Sequence, residues 1–240
     1  DLDDNWKSSW GGEDTTSQTS LLSTGAERIV YSLLNGRGLG KPNSIPVGSD
    51  LFFELKDAYI HIDLKTVQTN NIGDFNTNIF VGDNQNSYKG NIRNQIKDKK
   101  TKKTKPGKIL RSYTPNLPTT YTSKKTKKTK PCLSYFICIL YDAVSLEVEI
   151  INILSMPNGD LYDLYKDSPL RAGKNPGKTR FNFKACETFT ALPNNPPRNL
   201  IIYIEDQIQN KSYFKKLEYL YSIYMKQKQF MLLQEMGRKK

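Results

Sequence analysis

The sequence predicts an α/β protein in which a central mixed sheet of about five strands is flanked by helices. Residues 51–56 and 58–69 alternate apolar and polar side chains, as half-buried strands do. Two further runs, residues 133–141 and 144–154, are rich in Ile, Leu, Val, Phe and Tyr, which favours buried strands. Residues 211–235 carry most of their apolar side chains on one face of a long helix.

The first 88 residues are predicted to hold an arm, a helix and a hairpin. Residues 1–23 are polar and rich in Ser and Thr, which is typical of an N-terminal arm. Thr24 is a candidate N-cap with Glu27 three residues further on, and apolar residues then recur at helical spacing up to Leu34. Residues 24–88 are therefore expected to form this first helix and the hairpin that follows it.

The hairpin formed by the two alternating segments has a register that its own pattern defines. If the chain turns at residues 56–57, directly opposed residues have numbers that sum to 113, so Leu51 faces Ile62 and Phe53 faces Ile60. These four side chains then share one apolar face, because successive residues of a strand point to opposite faces. The register that the turn imposes thus makes one face of the hairpin wholly apolar, which predicts that this face belongs to the core.

The opposite face of the hairpin brings charged residues together. The same register sets Asp50 opposite Asp63, with Lys65 two residues beyond Asp63 on the same side. Because opposed carboxylates repel each other unless a cation lies between them, both are candidate Mg²⁺ ligands, with the backbone carbonyl of Leu64 as a third and Mn²⁺ as a substitute ion. Lys65 would orient or help deprotonate a water that attacks a phosphate. From the residues alone, an acid–base cluster on a solvated sheet face remains an alternative.

Residues 89–131 form a basic insertion or arm. The chain has a net charge of +12, and its stretch from Lys89 to Lys130 holds 15 Lys and Arg against one acid, a balance of +14 that leaves −2 elsewhere. Such a balance points to a polyanion, either nucleic acid or an anionic membrane. Within this stretch the octapeptide KKTKKTKP occurs twice, as a disordered insertion or as a phosphate-binding arm. The candidate DNA-binding lysines of its two copies are Lys99, Lys100, Lys102, Lys103, Lys105, Lys124, Lys125, Lys127, Lys128 and Lys130.

Residues 132–240 are expected to complete the sheet and to close a single domain that spans residues 1–240. A turn is predicted at residues 142–143, a short helical turn at 159–165 and a last strand at 199–204. The basic, glycine-containing loop between them either contacts base edges or phosphates or is simply solvated. Its candidate DNA-binding residues are Arg171, Lys174, Lys178 and Arg180.

Several other classes of protein are excluded or disfavoured. His61 is the single histidine, so paired His ligands of an HNH nuclease or a zinc hydrolase are missing. Cys132, Cys138 and Cys186 form no CxxC pair and are odd in number, so a disulfide framework is not expected and a reducing cytoplasm fits. No apolar run reaches the roughly 18 residues of a membrane span, and no membrane association is predicted.

Residues 24–70 resemble the PD-(D/E)XK nuclease superfamily and, within it, the type II restriction endonucleases. The resemblance lies in a helix that bears Glu27, the pair Ser49-Asp50 and the segment Ile60-His-Ile-Asp63-Leu-Lys65. In that family two acids bind metal and the lysine serves the attacking water, which implies these roles for Asp50, Asp63 and Lys65, with Glu27 as an assisting carboxylate. Ser49 stands where the family name has proline.

The resemblance implies a restriction-endonuclease-like fold and Mg²⁺-dependent hydrolysis of double-stranded DNA at a specific site. Because one such site cuts one strand at a time, we expect a homodimer on a palindromic sequence, with the helix at 211–235 as the candidate interface. Two alternatives remain from the sequence: a structure-specific repair or recombination nuclease of the same fold, and a non-catalytic basic DNA-binding protein.

Overall fold

The computed structural model describes residues 50–97, 101, 104–173 and 175–238. The predicted arm, the first helix with Glu27, and five of the candidate DNA-binding lysines therefore lie outside the described residues. Those lysines are Lys99, Lys100, Lys102, Lys103 and Lys174.

The described residues form eleven strands and two α-helices. The strands are β1 Leu51–Glu54, β2 Tyr59–Gln68, β3 Asn78–Val81, β4 Gly90–Lys97, β5 Thr104–Tyr113, β6 Thr120–Thr122, β7 Thr129–Tyr141, β8 Val148–Met156, β9 Leu170–Ala172, β10 Thr179–Asn182 and β11 Asn199–Ile204. The α-helices are α1 Tyr162–Tyr165 and α2 Glu218–Arg238. None of the described helices is both long and apolar enough to span a membrane.

The central sheet has the strand order β1-β2-β7-β8-β11, with β6 paired to the start of β7. The pairing of β2 with β7 is parallel, and the other pairings along this path are antiparallel. The prediction of a mixed sheet of about five strands in an α/β fold is thus confirmed. Residues 199–204 form the last strand as predicted, and the helical turn predicted at 159–165 is also present.

The predicted register of the first hairpin is confirmed. Leu51 pairs with Ile62 and Phe53 with Ile60, and the Leu55 amide donates to the Ala58 carbonyl over 2.8 Å across the two-residue turn. The apolar face packs as a small cluster with residues of β7. Local alternation of side chains was therefore sufficient to define this pairing.

The other face of the hairpin is buried against the main core instead of being solvated. The parallel register sets Asp63 beside Phe136 and Lys65 beside Cys138, and both neighbours on β7 are fully buried members of the main core. His61 and Asp63 are themselves buried. Parallel strands are commonly covered on both faces, and here this places a charged pair at the margin of an apolar core.

Two smaller sheets stand beside the central one. Strands β3, β10 and β9 form a three-stranded sheet, and β4 pairs with β5 as a separate hairpin. In its described part the basic segment at 89–131 is thus an ordered arm, and the glycine-containing loop predicted at 171–180 is the β9–β10 hairpin, with Gly177 at φ +77° in its turn. These five strands were not predicted from the sequence because their residues show no clear alternation of apolar and polar side chains.

The second predicted hairpin has a longer turn than expected. The prediction that a strand starts at Val144 is wrong, since β8 begins at Val148. The Asp142 carboxylate accepts the amide hydrogens of Val144 and Ser145 over 2.8 and 2.9 Å, and so holds these residues in the turn.

The long C-terminal helix begins later than predicted and packs on the edge strand. A single 3₁₀ turn, Phe214–Lys216, precedes α2. Gln227 on α2 accepts the Ile201 amide over 3.1 Å and donates to the Asn199 carbonyl over 3.0 Å. The side-chain amide thus occupies two backbone groups on the outer edge of β11, which would otherwise be open to another strand.

Candidate active site

The centre of the candidate site is a lysine–carboxylate pair on β2. Because residues two apart share a face of a strand, Asp63 and Lys65 lie side by side, with 2.5 Å between the lysine Nζ and the aspartate Oδ1. Strand β2 pairs with β1 on one side and with β7 over ten residues on the other. The pair therefore stands on the most firmly held strand of the hairpin.

Lys65 is the more exposed member of the pair. Its side chain is 20% exposed, against 3% for that of Asp63. The ammonium also donates to the Gln85 Oε1 over 3.0 Å and lies 5.6 Å from the centre of the Phe136 ring. The ammonium is thus held by one ion pair and one hydrogen bond, and its partial exposure leaves it within reach of a ligand.

Asp50 lies just before β1 and is turned toward the same edge. Its Oδ2 accepts the backbone amide of Leu64 over 2.7 Å. The amide and carbonyl of one strand residue point to the same side, so the Leu64 carbonyl is directed toward the edge where β1 has ended. Asp50 is thereby held next to the residue between Asp63 and Lys65.

The donor set at this edge suits a hard divalent cation. It comprises the carboxylates of Asp50 and Asp63 with the Leu64 carbonyl, and all of these are oxygen ligands. Within the described parts of the chain, no group of three or more His, Cys, Asp or Glu side chains could hold a metal. A closed site for a softer ion is therefore not built from these residues, whereas an open oxygen site is compatible with them.

His61 flanks the pair but is unsuited to proton transfer at neutral pH. It lies on the same face of β2, is buried, and has its ring 4.7 Å from that of Phe52. Neither ring nitrogen has a hydrogen-bonding partner among the described residues. Burial lowers the pKa of His61 to about 4, so the ring is neutral at neutral pH.

The second copy of the octapeptide forms the turn between β6 and β7 and the start of β7, and its lysines have different surroundings. Lys124, Lys125, Lys127 and Lys128 are exposed around the turn. Lys130 is buried, with its Nζ 2.8 Å from the Glu54 Oε1 and 2.7 Å from the Leu55 carbonyl.

Lys130 must therefore be removed from the predicted DNA-binding set. Its ammonium is occupied by the turn of the first hairpin and lies 5.3 Å from the centre of the Tyr59 ring. In the first copy, Lys105 lies in β5, and the preceding lysines are outside the described residues.

A cleft of about 640 Å³ opens between the β4–β5 hairpin and the three-stranded sheet. Polar and basic side chains from several elements line it, among them Asp74, Arg93, Asn94, Arg171, Asn182 and Lys184. Sequence reasoning identified Arg171 but missed the others, because they are scattered along the chain and none belongs to a motif.

Arg171, which lines this cleft, and Arg180, which pairs with the lining residue Asp74, are both held by neighbouring groups. Arg171 donates to the Leu170 carbonyl over 3.0 Å, and the Asn182 amide, with its oxygen facing Arg171, accepts from Nε and Nη2 over 3.2 and 2.9 Å. Arg180 is paired with Asp74 over 3.2 Å and stacks on Phe80. Lys178 is exposed in the turn of the same hairpin. The guanidinium groups are thus oriented before any ligand arrives.

Two family models together cover most of the chain. A model described as the N-terminal domain of the type II restriction enzyme MwoI matches residues 1–145, and one described as the central domain of the same enzyme matches residues 148–204. A search of curated proteins finds no match.

Solved structures of two restriction endonucleases resemble this fold. BglI bound to its DNA recognition sequence is 16% identical, with a TM-score of 0.54 over 77% of this chain and 72% of BglI. Tetrameric SfiI bound to cognate DNA is 15% identical, with a TM-score of 0.53 over 77% of this chain and 71% of SfiI. At such identities the likeness concerns the fold.

Proposed function

Since the chain belongs to the family of the type II restriction enzyme MwoI, we propose that it cleaves DNA through Asp50, Asp63 and Lys65 in a Mg²⁺-dependent reaction. Site-specific cleavage of DNA is the activity of this family, and the prediction of a type II restriction endonuclease is confirmed. Restriction endonucleases generally use a divalent metal ion. The choice of Mg²⁺, with Mn²⁺ as a substitute, and the assignment of residues are the proposal.

The observation that carries the proposal is the juxtaposition of the Asp63–Lys65 pair with Asp50. Asp50 and Asp63, with the Leu64 carbonyl, would hold the metal ion, and Glu27 is the further carboxylate that we propose to assist. A bound Mg²⁺ supplies Lewis-acid charge at the phosphate and acidifies a water molecule. Its oxygen ligands here are of the kind that Mg²⁺ prefers.

Lys65 acts on the reacting groups directly in this proposal. The ammonium orients the attacking water or donates to a phosphate oxygen that gains charge in the transition state. The neutral His61 ring and the Phe136 ring border the polar groups with apolar surface, which limits competing water and strengthens the electrostatic interactions there.

DNA is proposed to contact two basic surfaces. The exposed lysines of the β6–β7 turn, together with those of the first octapeptide copy, would neutralise backbone phosphates. Arg171, Lys174, Lys178 and Arg180 on the β9–β10 hairpin would reach base edges or phosphates, and the held guanidinium groups at the cleft support this role.

A two-fold symmetric dimer on a palindromic site completes the proposal. Subunits related by a dyad meet the two antiparallel DNA strands equivalently. The C-terminal part of α2 supports the predicted interface, since Phe230, Met231, Leu232 and Leu233 are all exposed.

The test is cleavage of a random-sequence duplex library with Mg²⁺, followed by sequencing of the ends and by light scattering on the protein–DNA complex. We expect one recurring two-fold symmetric sequence and a dimer. Cleavage without a divalent ion, or cleavage that survives Lys65→Ala at the wild-type rate, would contradict the proposed site.

A further inference from the structure

Gln85 contacts the ammonium of Lys65 from outside the catalytic hairpin. It lies in the loop of residues 82–89 between β3 and β4, and its Oε1 accepts from the Lys65 Nζ over 3.0 Å. The same oxygen accepts the backbone amide of Gly82 over 2.7 Å. One amide oxygen thus joins the loop to the lysine.

This loop is fixed by a buried hydrogen-bond network. The Asn86 side chain, fully buried, donates to the Gly82 carbonyl over 3.2 Å and to the Tyr113 hydroxyl over 2.8 Å. The Tyr113 hydroxyl in turn donates to the Gly82 carbonyl over 2.9 Å. The backbone amide of Gln85 donates to the same carbonyl over 3.1 Å. Because Gly82 is held from several sides, the position of the Gln85 oxygen is set by the fold and not by the lysine.

We infer that Gln85 is a positioning residue for Lys65, an inference that rests on the proposed function. Among the described residues, Asp63 is the only anionic group paired with the Lys65 ammonium, and Asp63 is also a proposed metal ligand. When a cation binds the Asp63 carboxylate, the ion pair between that carboxylate and the Lys65 ammonium weakens. The flexible four-carbon stem of the lysine would then let the ammonium move away. The fixed oxygen of Gln85 then keeps the ammonium beside the reacting groups.

The chemistry of an amide suits this task. As a neutral acceptor it holds the ammonium without cancelling its positive charge, which the transition state of phosphodiester hydrolysis requires. A second carboxylate at this place would hold the lysine as well but would add negative charge next to the phosphate. A rigid neighbour that holds a reactive side chain keeps the reacting atoms in the correct position.

The test compares three variants in single-turnover cleavage of a specific duplex. Gln85→Met keeps the length of the side chain but offers only a weak acceptor, and we expect the cleavage rate to fall about 10- to 100-fold. Gln85→Glu restores an oxygen acceptor but adds negative charge next to the phosphate, so its rate should lie between those of Gln85→Met and the wild type. Asn84→Ala, in the same loop but without contact to Lys65, should cleave like the wild type.

DNA affinity and thermal melting separate positioning from a general defect. Both should stay near wild-type values in Gln85→Met, because the lysine and not the DNA surface is disturbed; if this variant does not fold, Gln85→Ala takes its place. A wild-type cleavage rate in Gln85→Met, while Lys65→Ala is inactive, would overturn this inference and leave the proposed function standing. A wild-type rate in Lys65→Ala would instead remove the proposed function beneath it.

Discussion

The two ends of the first hairpin each carry a lysine–carboxylate contact, yet the two contacts serve different purposes. At the open end Lys65 lies 2.5 Å from Asp63, and at the turn Lys130 of β7 lies 2.8 Å from Glu54. At the open end the acid is buried and the lysine reaches solvent. At the turn the side chain of the lysine is 10% exposed and that of the acid 39%.

The difference shows that the partners of an ammonium group, more than its distance to an acid, decide what it can do. Lys130 is shared between the Glu54 carboxylate and the Leu55 carbonyl, so it fastens β7 to the turn. Lys65 is held by one acid and one neutral amide, and its side chain stays 20% exposed. A lysine of the first kind stabilises, and one of the second kind is available for chemistry.

The largest effect is expected from removing the open-end pair. Asp63→Ala and Lys65→Ala should each lower DNA cleavage by roughly 10³-fold or more, because the first removes a proposed metal ligand and the second removes the positive charge at the reacting phosphate. DNA binding should remain close to that of the wild type, whereas Lys65→Ala should also lower the melting temperature, because it leaves the buried Asp63 carboxylate without this ion pair. Mg²⁺-dependent cleavage, DNA affinity and thermal melting are measured on each variant. Full activity in either variant would show that this end of the hairpin is structural as well.

The turn-end pair is expected to give the opposite result. Lys130→Met removes the donor to Glu54 and Leu55 and should lower the melting temperature by roughly 5–10 °C, because a half-buried carbonyl and a carboxylate lose their partner. The cleavage rate of the folded protein should change only a few-fold. Unchanged melting together with weakened DNA binding would return Lys130 to the DNA-binding set.

The exposed lysines of the same octapeptide sharpen the contrast with Lys130. Replacing Lys124, Lys125, Lys127 and Lys128 by Gln should flatten the dependence of log affinity on log salt, by about 0.9 for each phosphate that is no longer neutralised. The melting temperature should not fall. Titrations of DNA at several salt concentrations measure this slope, and an unaltered slope would indicate that this turn does not touch DNA.

The smallest expected effect is on how the stability of the fold falls at acidic pH, to which the Lys130–Glu54 contact at the turn contributes. The hydrogen bond from Lys130 lowers the pKa of the Glu54 carboxyl below its usual 4.5 despite some desolvation. A lowered carboxyl pKa contributes stability above the unfolded-state pKa, and this contribution is lost as the pH falls through the folded-state value. Glu54→Gln should therefore narrow the difference in urea midpoint between pH 6 and pH 3.5. An identical difference in both proteins would mean that the contact does not stabilise the fold.

The sequence by itself determined the register of the first hairpin and the residues that the candidate site draws from it. Side chains alternate strictly between the faces of a strand, and a two-residue turn relates the strands, so local information places Asp50, Asp63 and Lys65 at one edge. The order of apolar segments likewise predicted the mixed sheet, its last strand and the C-terminal helix. The same motif identified the family.

Only the tertiary structure decided what surrounds these residues. The parallel pairing of β2 with β7 buried the charged face, and nothing in the octapeptide distinguishes Lys130 from its exposed neighbours. The contact of Gln85 with Lys65 and the cleft beside Arg171 likewise join segments that are distant along the chain. Such contacts depend on where separate strands and loops meet, and the alternation of side chains within one strand carries no information about that.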